Sequence, residues 1–399
     1  MLPSLSLALV LLAPQAPGDR GPRPSDAAAT ATSPAAQEPA LDPDLLRACA
    51  AAADRGLDWL RACQGKGGAW TGIVGHKMQD DYYELDIGMP VPMQRDRGQG
   101  HLGVTALCGM AFLAAGDLPD RGAHGQTVQR TIDYVTRCCE DTGLLTDAGT
   151  RMYSHAFATL FLAECYGMAG GKPVKEALER AVNLIVDSQN QYGGWRYNPF
   201  DRAIDLSVTV CQLQALRAAR NIGIKVPEET IRRAVDYVLA SHVGGAGASA
   251  RGRSRGRGGS LGGGQFYYKI YGSGAYEKPN EYAINAAALT ALASAGVYDP
   301  DLHQPTLDFL DRHYTELANG RHRQHYYFWY GNYYACQAFF QAGGPRFRTW
   351  YERLARDLIA MQRPDGSWVN DCGPGDEFST AVACLLLQLP RQYLPIFQR

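Results

Sequence analysis

Three stretches of the chain end in the same way. RGLDWLRACQGKGGAW (residues 55–70), RAVNLIVDSQNQYGGW (180–195) and RLARDLIAMQRPDGSW (353–368) each run from a basic residue through bulky apolar positions to Gln, then to Gly and Trp. The apolar positions before the Gln have helical period, and the Gly-rich segment after it ends the helix. Shorter copies follow the same plan at 130–139 and 232–242, with Cys139 and His242 in the place of the Gln. A repeat of this kind is one supersecondary unit that cannot bury its apolar face alone.

Each unit continues into a second segment. Six of these align without gaps: HLGVTALCGMAF, HAFATLFLAECY, DLSVTVCQLQAL, EYAINAAALTAL, FWYGNYYACQAF and DEFSTAVACLLL, starting at His101, His155, Asp205, Glu281, Phe328 and Asp376. The fifth position is always Thr or Asn, and the segments carry almost no charge. A helix without a polar face is one buried on all sides. About six pairs, each an amphipathic helix followed by a buried one, predict an all-α fold of two concentric rings, an α/α toroid. An open solenoid is the competing geometry, but it leaves one face of each second helix in water.

Arg55, Gly56, Trp59, Leu60, Gln64, Gly68 and Trp70 resemble a complete QW repeat of the squalene–hopene and oxidosqualene cyclases. Gln189, Gly194 and Trp195, with Gln362, Gly366 and Trp368, supply two further copies. The resemblance covers roughly residues 45–399 and implies the toroid shared by terpenoid cyclases and protein prenyltransferase β subunits. It also implies that Gln64, Trp70, Gln189, Trp195, Gln362 and Trp368 are structural ties between repeats. An amide side chain can satisfy backbone groups left open at a helix terminus, which agrees.

The same resemblance bears on chemistry. Squalene–hopene cyclases protonate their substrate with the middle Asp of D-x-D-D-T-A at the start of an inner helix. Asp205 matches that Asp and Ser207 the Thr, while Ala203 and Leu206 replace the flanking acids. Prenyltransferases hold zinc with Asp, Cys and His; here Ser207 stands for the Cys, Glu281 for the His, and His155 falls one unit early. These are poor zinc ligands, so neither zinc nor another cofactor is expected.

Parallel inner helices would bring the six first positions to one end of a central cavity. Asp205, His155, Glu281 and Asp376 are therefore the candidate acid–base residues, with helix capping the competing role for the acids. The fifth unit, HYYFWYGNYYACQAFF (325–340), offers Phe328, Tyr330, Tyr333 and Tyr334 as cavity aromatics, suited to an apolar ligand or a carbocation.

The remaining segments bound the partners. Residues 1–16 hold an apolar run from Leu5 to Ala13, the length of an export signal's core, and 17–40 form a Pro/Ala-rich linker before a single toroid domain at 41–399. Export to the periplasm, the envelope or beyond follows as the expected localisation. Net charge is −1, which supplies no global field for nucleic acid or an anionic membrane. A flexible insertion at 244–264 carries Arg251, Arg253, Arg255 and Arg257; it suits solvent or peripheral contact with an anionic surface, but lacks base-reading features, so no specific nucleic acid partner is expected. Ten cysteines show no C-x-x-C pair, and those in the inner segments are expected to be buried hydrophobes. Three functions fit: an enzyme or binder for an isoprenoid-like apolar molecule, a non-catalytic envelope scaffold for a protein or peptide partner, and an exported polysaccharide-acting enzyme using paired carboxylates.

Overall fold

The computed structural model describes residues 40–78, 81–84, 100–243, 264–271 and 281–398. The export-signal segment 1–16, the linker up to residue 39 and the Arg-rich strip 244–263 lie outside the described residues.

Six helices have one apolar face. They are α1 (Pro43–Cys63), α3 (Gly125–Arg137), α5 (Lys172–Asp187), α7 (Glu228–Ala240), α9 (Pro300–Asn319) and α11 (Gly344–Met361). In α5, Val174, Ala177, Leu178, Ala181, Val182 and Ile185 recur every three or four residues on the buried side, while Lys175 and Glu179 pair across 3.7 Å on the wet side. The other six are α2 (Leu102–Ala114), α4 (Met152–Ala169), α6 (Leu206–Asn221), α8 (Tyr282–Ser294), α10 (Tyr326–Ala342) and α12 (Asp376–Gln388). All thirteen residues of α2 are buried, as the uncharged composition of these segments requires.

Each buried helix packs on the next in chain order, and α12 returns to α2, so the inner ring closes. The outer ring closes with it, because α1 lies against α11 and α12. The solenoid alternative is thereby excluded. Besides the helices there is an antiparallel hairpin, with Gly75 opposite Glu84 and Met78 opposite Asp81, which the sequence pattern did not anticipate. No helix among the described residues is long and apolar enough to cross a membrane. None of the ten cysteines is in a disulfide among the described residues, and Cys108, Cys165, Cys211, Cys336 and Cys384 are buried in the inner helices.

The Gln and Trp positions explain how neighbouring outer helices are joined. Gln64 Nε2 donates to the carbonyls of Gly68 in its own turn (3.0 Å) and Thr127 in α3 (3.1 Å). Gln189 bridges Gly193 and Thr230 in α7 at 2.8 and 2.9 Å. Gln362 bridges Gly366 and Ala52 in α1, both at 2.8 Å, so the last outer helix is tied to the first by the same device. The Trp indoles turn inward: Trp70, Trp195 and Trp368 donate Nε1–H to Leu60, Ile185 and Leu358, ten residues back, at 2.7 to 2.8 Å. Gln189→Ala removes two hydrogen bonds and is expected to cost about 1–2 kcal/mol. That cost should appear as a lower urea midpoint with an unchanged m-value, and an unchanged midpoint would contradict the tie.

Candidate active site

The first turns of all six inner helices line one cavity of about 210 Å³, so the helices are parallel and their N-terminal ends share a mouth. Its walls are largely apolar, with Val104, Leu107, Phe157, Ile284, Pro374 and Phe378 among them. Polar groups reach it from a few places: Glu281, Arg151, His101, Ser207 and the tyrosines at 153, 197 and 268.

Asp205 is the N-cap of α6. Its Oδ1 accepts the Val208 N–H at 3.0 Å and the Ser207 hydroxyl at 2.8 Å. Its Oδ2 accepts no hydrogen bond among the described residues and lies 3.5 Å from Arg196 Nη1. The residue is completely buried. Burial drives its pKa upward, against the Val208 amide, Ser207 and Arg196, which favour the carboxylate. A carboxyl held this way retains its proton to higher pH than an ordinary Asp.

Asp205 does not itself face the cavity; Ser207 stands between. The Ser207 hydroxyl is bonded to the Tyr153 hydroxyl and lies 3.3 Å from that of Tyr268, which is 3.3 Å from that of Tyr197. All four residues line the cavity. The result is a hydroxyl path from a buried acid to an aromatic wall. Arg196 supports it from outside, lying 4.7 Å over the Tyr197 ring. Tyr330 donates to the Ser207 carbonyl at 3.3 Å and fixes the first turn of α6 from the opposite side.

The other expected positions separate. Glu281 is the N-cap of α8 and lines the cavity without its side chain capping the helix. His155 does not reach the mouth: α4 begins at Met152, so His155 lies a turn inside, fully buried, and its Nδ1 accepts the Leu145 N–H at 3.0 Å. Burial holds that imidazole neutral, with its pKa lowered to about 4. Asp376 is the first residue of α12 and is committed elsewhere, taking Arg363 at 2.5 Å and the Asn370 N–H at 2.8 Å. Of the four aromatics, Tyr330 lines the cavity. Phe328 packs edge-on against Trp329, Tyr333 against Phe157, and Tyr334 takes the Cys211 thiol at 3.1 Å; these three fill the ring's interior. Among the described residues no three His, Cys, Asp or Glu side chains converge as metal ligands, since Ser207 interposes at Asp205 and the His155 ring is engaged at Leu145.

Sequence reasoning missed Tyr153, Tyr197 and Tyr268. Tyr153 had a faint signal, two residues before His155 at an inner-helix start, whereas Tyr197 and Tyr268 come from irregular segments with no period to read.

No family model matches the chain, and no curated protein matches it. Solved structures do. A variant of the type II terpene cyclase MstE from Scytonema, in complex with geranylgeranyl dihydroxybenzoate, superposes with a TM-score of 0.53 at 14% identity, covering 88% of this chain and 99% of that one. The α-1,6-mannanase GH76A of Salegentibacter gives 0.56 at 8% identity, over 85% and 98%. An α-amylase from Clostridium perfringens gives 0.55 at 10% identity, over 85% and 97%. The chain has the α/α-toroid fold. At these identities the toroid is what the likeness establishes, and because it hosts both terpene and glycan chemistry, function has to be argued from the site.

Proposed function

We propose that this toroid is an acid–base enzyme acting on an isoprenoid-like, apolar group held in the N-terminal cavity. The observation that carries this reading is the buried Asp205 carboxyl, joined through one hydroxyl, Ser207, to an aromatic and aliphatic wall. A cavity of about 210 Å³ exceeds the roughly 150 Å³ that holds a benzene, so it takes a ring-sized or short prenyl group. With Asp205 protonated on Oδ1 the 2.8 Å contact to Ser207 runs the other way: the acid donates to the Ser207 oxygen while the Ser207 proton moves to an alkene carbon, leaving a carboxylate at Asp205 and a carbocation on the ligand. Tyr faces around the cavity attract that cation. Loss of a proton from a neighbouring carbon returns along the same path, so the net change is an isomerisation or cyclisation with no atoms added.

No flanking acid accompanies Asp205, since Ala203 and Leu206 stand at those positions; the groups that hold its carboxyl are the Val208 amide, Ser207 and Arg196. The polysaccharide reading loses support from the same geometry. Asp376 is bound to Arg363 and Asp205 is covered, leaving Glu281 without a second carboxylate among the described lining residues. With the run from Leu5 to Ala13 as an export signal, the site of action lies in the envelope or beyond.

Extraction and mass spectrometry of the purified protein should recover an apolar compound. The Asp205→Asn protein should hold the unreacted form, with turnover lower by about 10²–10⁴-fold. Wild-type turnover should fall as pH rises through the elevated Asp205 pKa, because the protonated acid is the active form. Full turnover in Asp205→Asn would sink the acid assignment. A wild-type preparation that binds no prenyl compound would sink the ligand assignment.

A further inference from the structure

His101 is the N-cap of α2, and its backbone N–H is held by the Trp70 carbonyl at 2.9 Å, so the repeat itself fixes the ring at the cavity mouth. Its Nδ1 accepts the Val104 N–H at 3.3 Å. A ring nitrogen that accepts a hydrogen bond carries no proton. Burial also keeps the imidazole neutral, its pKa lowered to about 4. The single ring proton therefore sits on Nε2, the opposite tautomer being excluded by the cap.

Nε2 makes no hydrogen bond among the described residues, and the residue is partly exposed where it lines the cavity. The lining residues contributed by its own helix are Gly103, Val104 and Leu107, and the connecting segments at 74 and 374 add Val74 and Pro374; none of these side chains is an acceptor. Asp205 occupies the corresponding N-cap in α6 and caps its helix in the same way, but its second oxygen turns to Arg196, away from the cavity. His101 thus presents a fixed, neutral N–H donor to a cavity whose nearby wall leaves it unanswered.

We propose that the cavity's ligand carries a hydroxyl or carbonyl oxygen and that His101 Nε2–H holds it, making His101 a specificity-determining residue. This rests on the apolar-ligand reading above and narrows the substrate class from a hydrocarbon to an oxygen-bearing prenyl compound. The donor end and the Ser207 end then orient the ligand: the oxygen at α2, the alkene towards α6.

The test is calorimetric binding of geraniol and of its deoxy analogue, 2,6-dimethyl-2,6-octadiene, to the full chain, in the wild type and in the His101→Phe and His101→Gln proteins. Wild type should bind geraniol roughly tenfold more tightly than the hydrocarbon, the effect of one net hydrogen bond. His101→Phe should abolish that preference while hydrocarbon affinity stays within about twofold. His101→Gln should retain it, since an amide can accept the Val104 N–H and donate from Nε2 at once. The Gln variant also keeps the helix cap, so the inference stays testable if the Phe variant fails to fold. Equal binding of the two compounds by wild type, or a preference that survives His101→Phe, overturns the proposal and leaves the apolar-ligand reading standing. Failure of wild type to bind either compound overturns both.

Discussion

Gly366→Ala should lower the unfolding free energy by about 3 kcal/mol or more, whereas Gly223→Ala should cost only about 1 kcal/mol. Both glycines have positive φ, +93° and +85°, and Gly223 is the left-handed residue that ends α6, with Ile224 N–H returning to the Ala219 carbonyl. They differ in what the new methyl meets. At Gly223 there is no atom within 4 Å. At Gly366 the methyl would lie 2.5 Å from the Arg55 carbonyl oxygen and 2.9 Å from its carbon. Those are backbone atoms of α1 and cannot rotate away, so relief requires α11 and α1 to separate at the seam where the ring closes. The same contact recurs at Gly68 on Arg130, Gly143 on Arg180 and Gly193 on Arg233, each with an added methyl 2.1 to 2.4 Å from a backbone oxygen. Guanidinium unfolding of the two variants measures the difference. Equal losses would show that the turns tolerate the extra atom and that the seam is looser than these distances imply.

Glu164→Gln should stabilise the protein, and by more as the pH rises. Glu164 lies within α4, 1% exposed, and its Oε2 accepts the Ile396 N–H of the C-terminal segment at 3.2 Å. Burial pushes its pKa up to about 8 from an ordinary value of 4.5, the Ile396 amide opposing only in part. A group whose folded pKa is raised contributes its full stability below the unfolded pKa and loses it as pH climbs through the folded one. At about 1.4 kcal/mol per pH unit, the loss reaches about 3 kcal/mol at pH 7 and about 5 kcal/mol by pH 9. Gln keeps an oxygen for Ile396 and has no proton to lose. The gap between the variant and wild type should therefore widen by those amounts relative to pH 4, as read from denaturant unfolding across the range. A constant gap would place the titration of Glu164 elsewhere.

The alternation of amphipathic and apolar segments announced the two rings, because a helix such as α8 has no charged residue and no polar face to turn to water. The Thr or Asn at the fifth inner position was visible as a pattern before its purpose was. Thr105, Thr209 and Thr380 accept the backbone N–H of Trp70, Trp195 and Trp368 at 3.0 to 3.1 Å, and Asn285 does the same for Phe266 at 2.7 Å. In the second unit the imidazole of His155 takes that task for Leu145, which is why it is absent from the cavity. An ungapped alignment assumes that every inner helix starts at the same offset. Helix α4 starts three residues before His155, and α10 starts two before Phe328 with His325 as its cap. Tyr197 and Tyr268 escaped for a different reason: they lie on turns and connections, and only the closed ring brings them beside Ser207.

The central claim is that Asp205 delivers a proton through Ser207 to carbon in the cavity. The most direct measurement is deuterium incorporation into carbon when purified protein is incubated in D2O with a short prenyl alcohol such as geraniol, followed by mass spectrometry. Wild type should place deuterium on a former alkene carbon, and Asp205→Asn should bind the alcohol without doing so. Binding by wild type with no carbon-bound deuterium, or equal incorporation by Asp205→Asn, would contradict it.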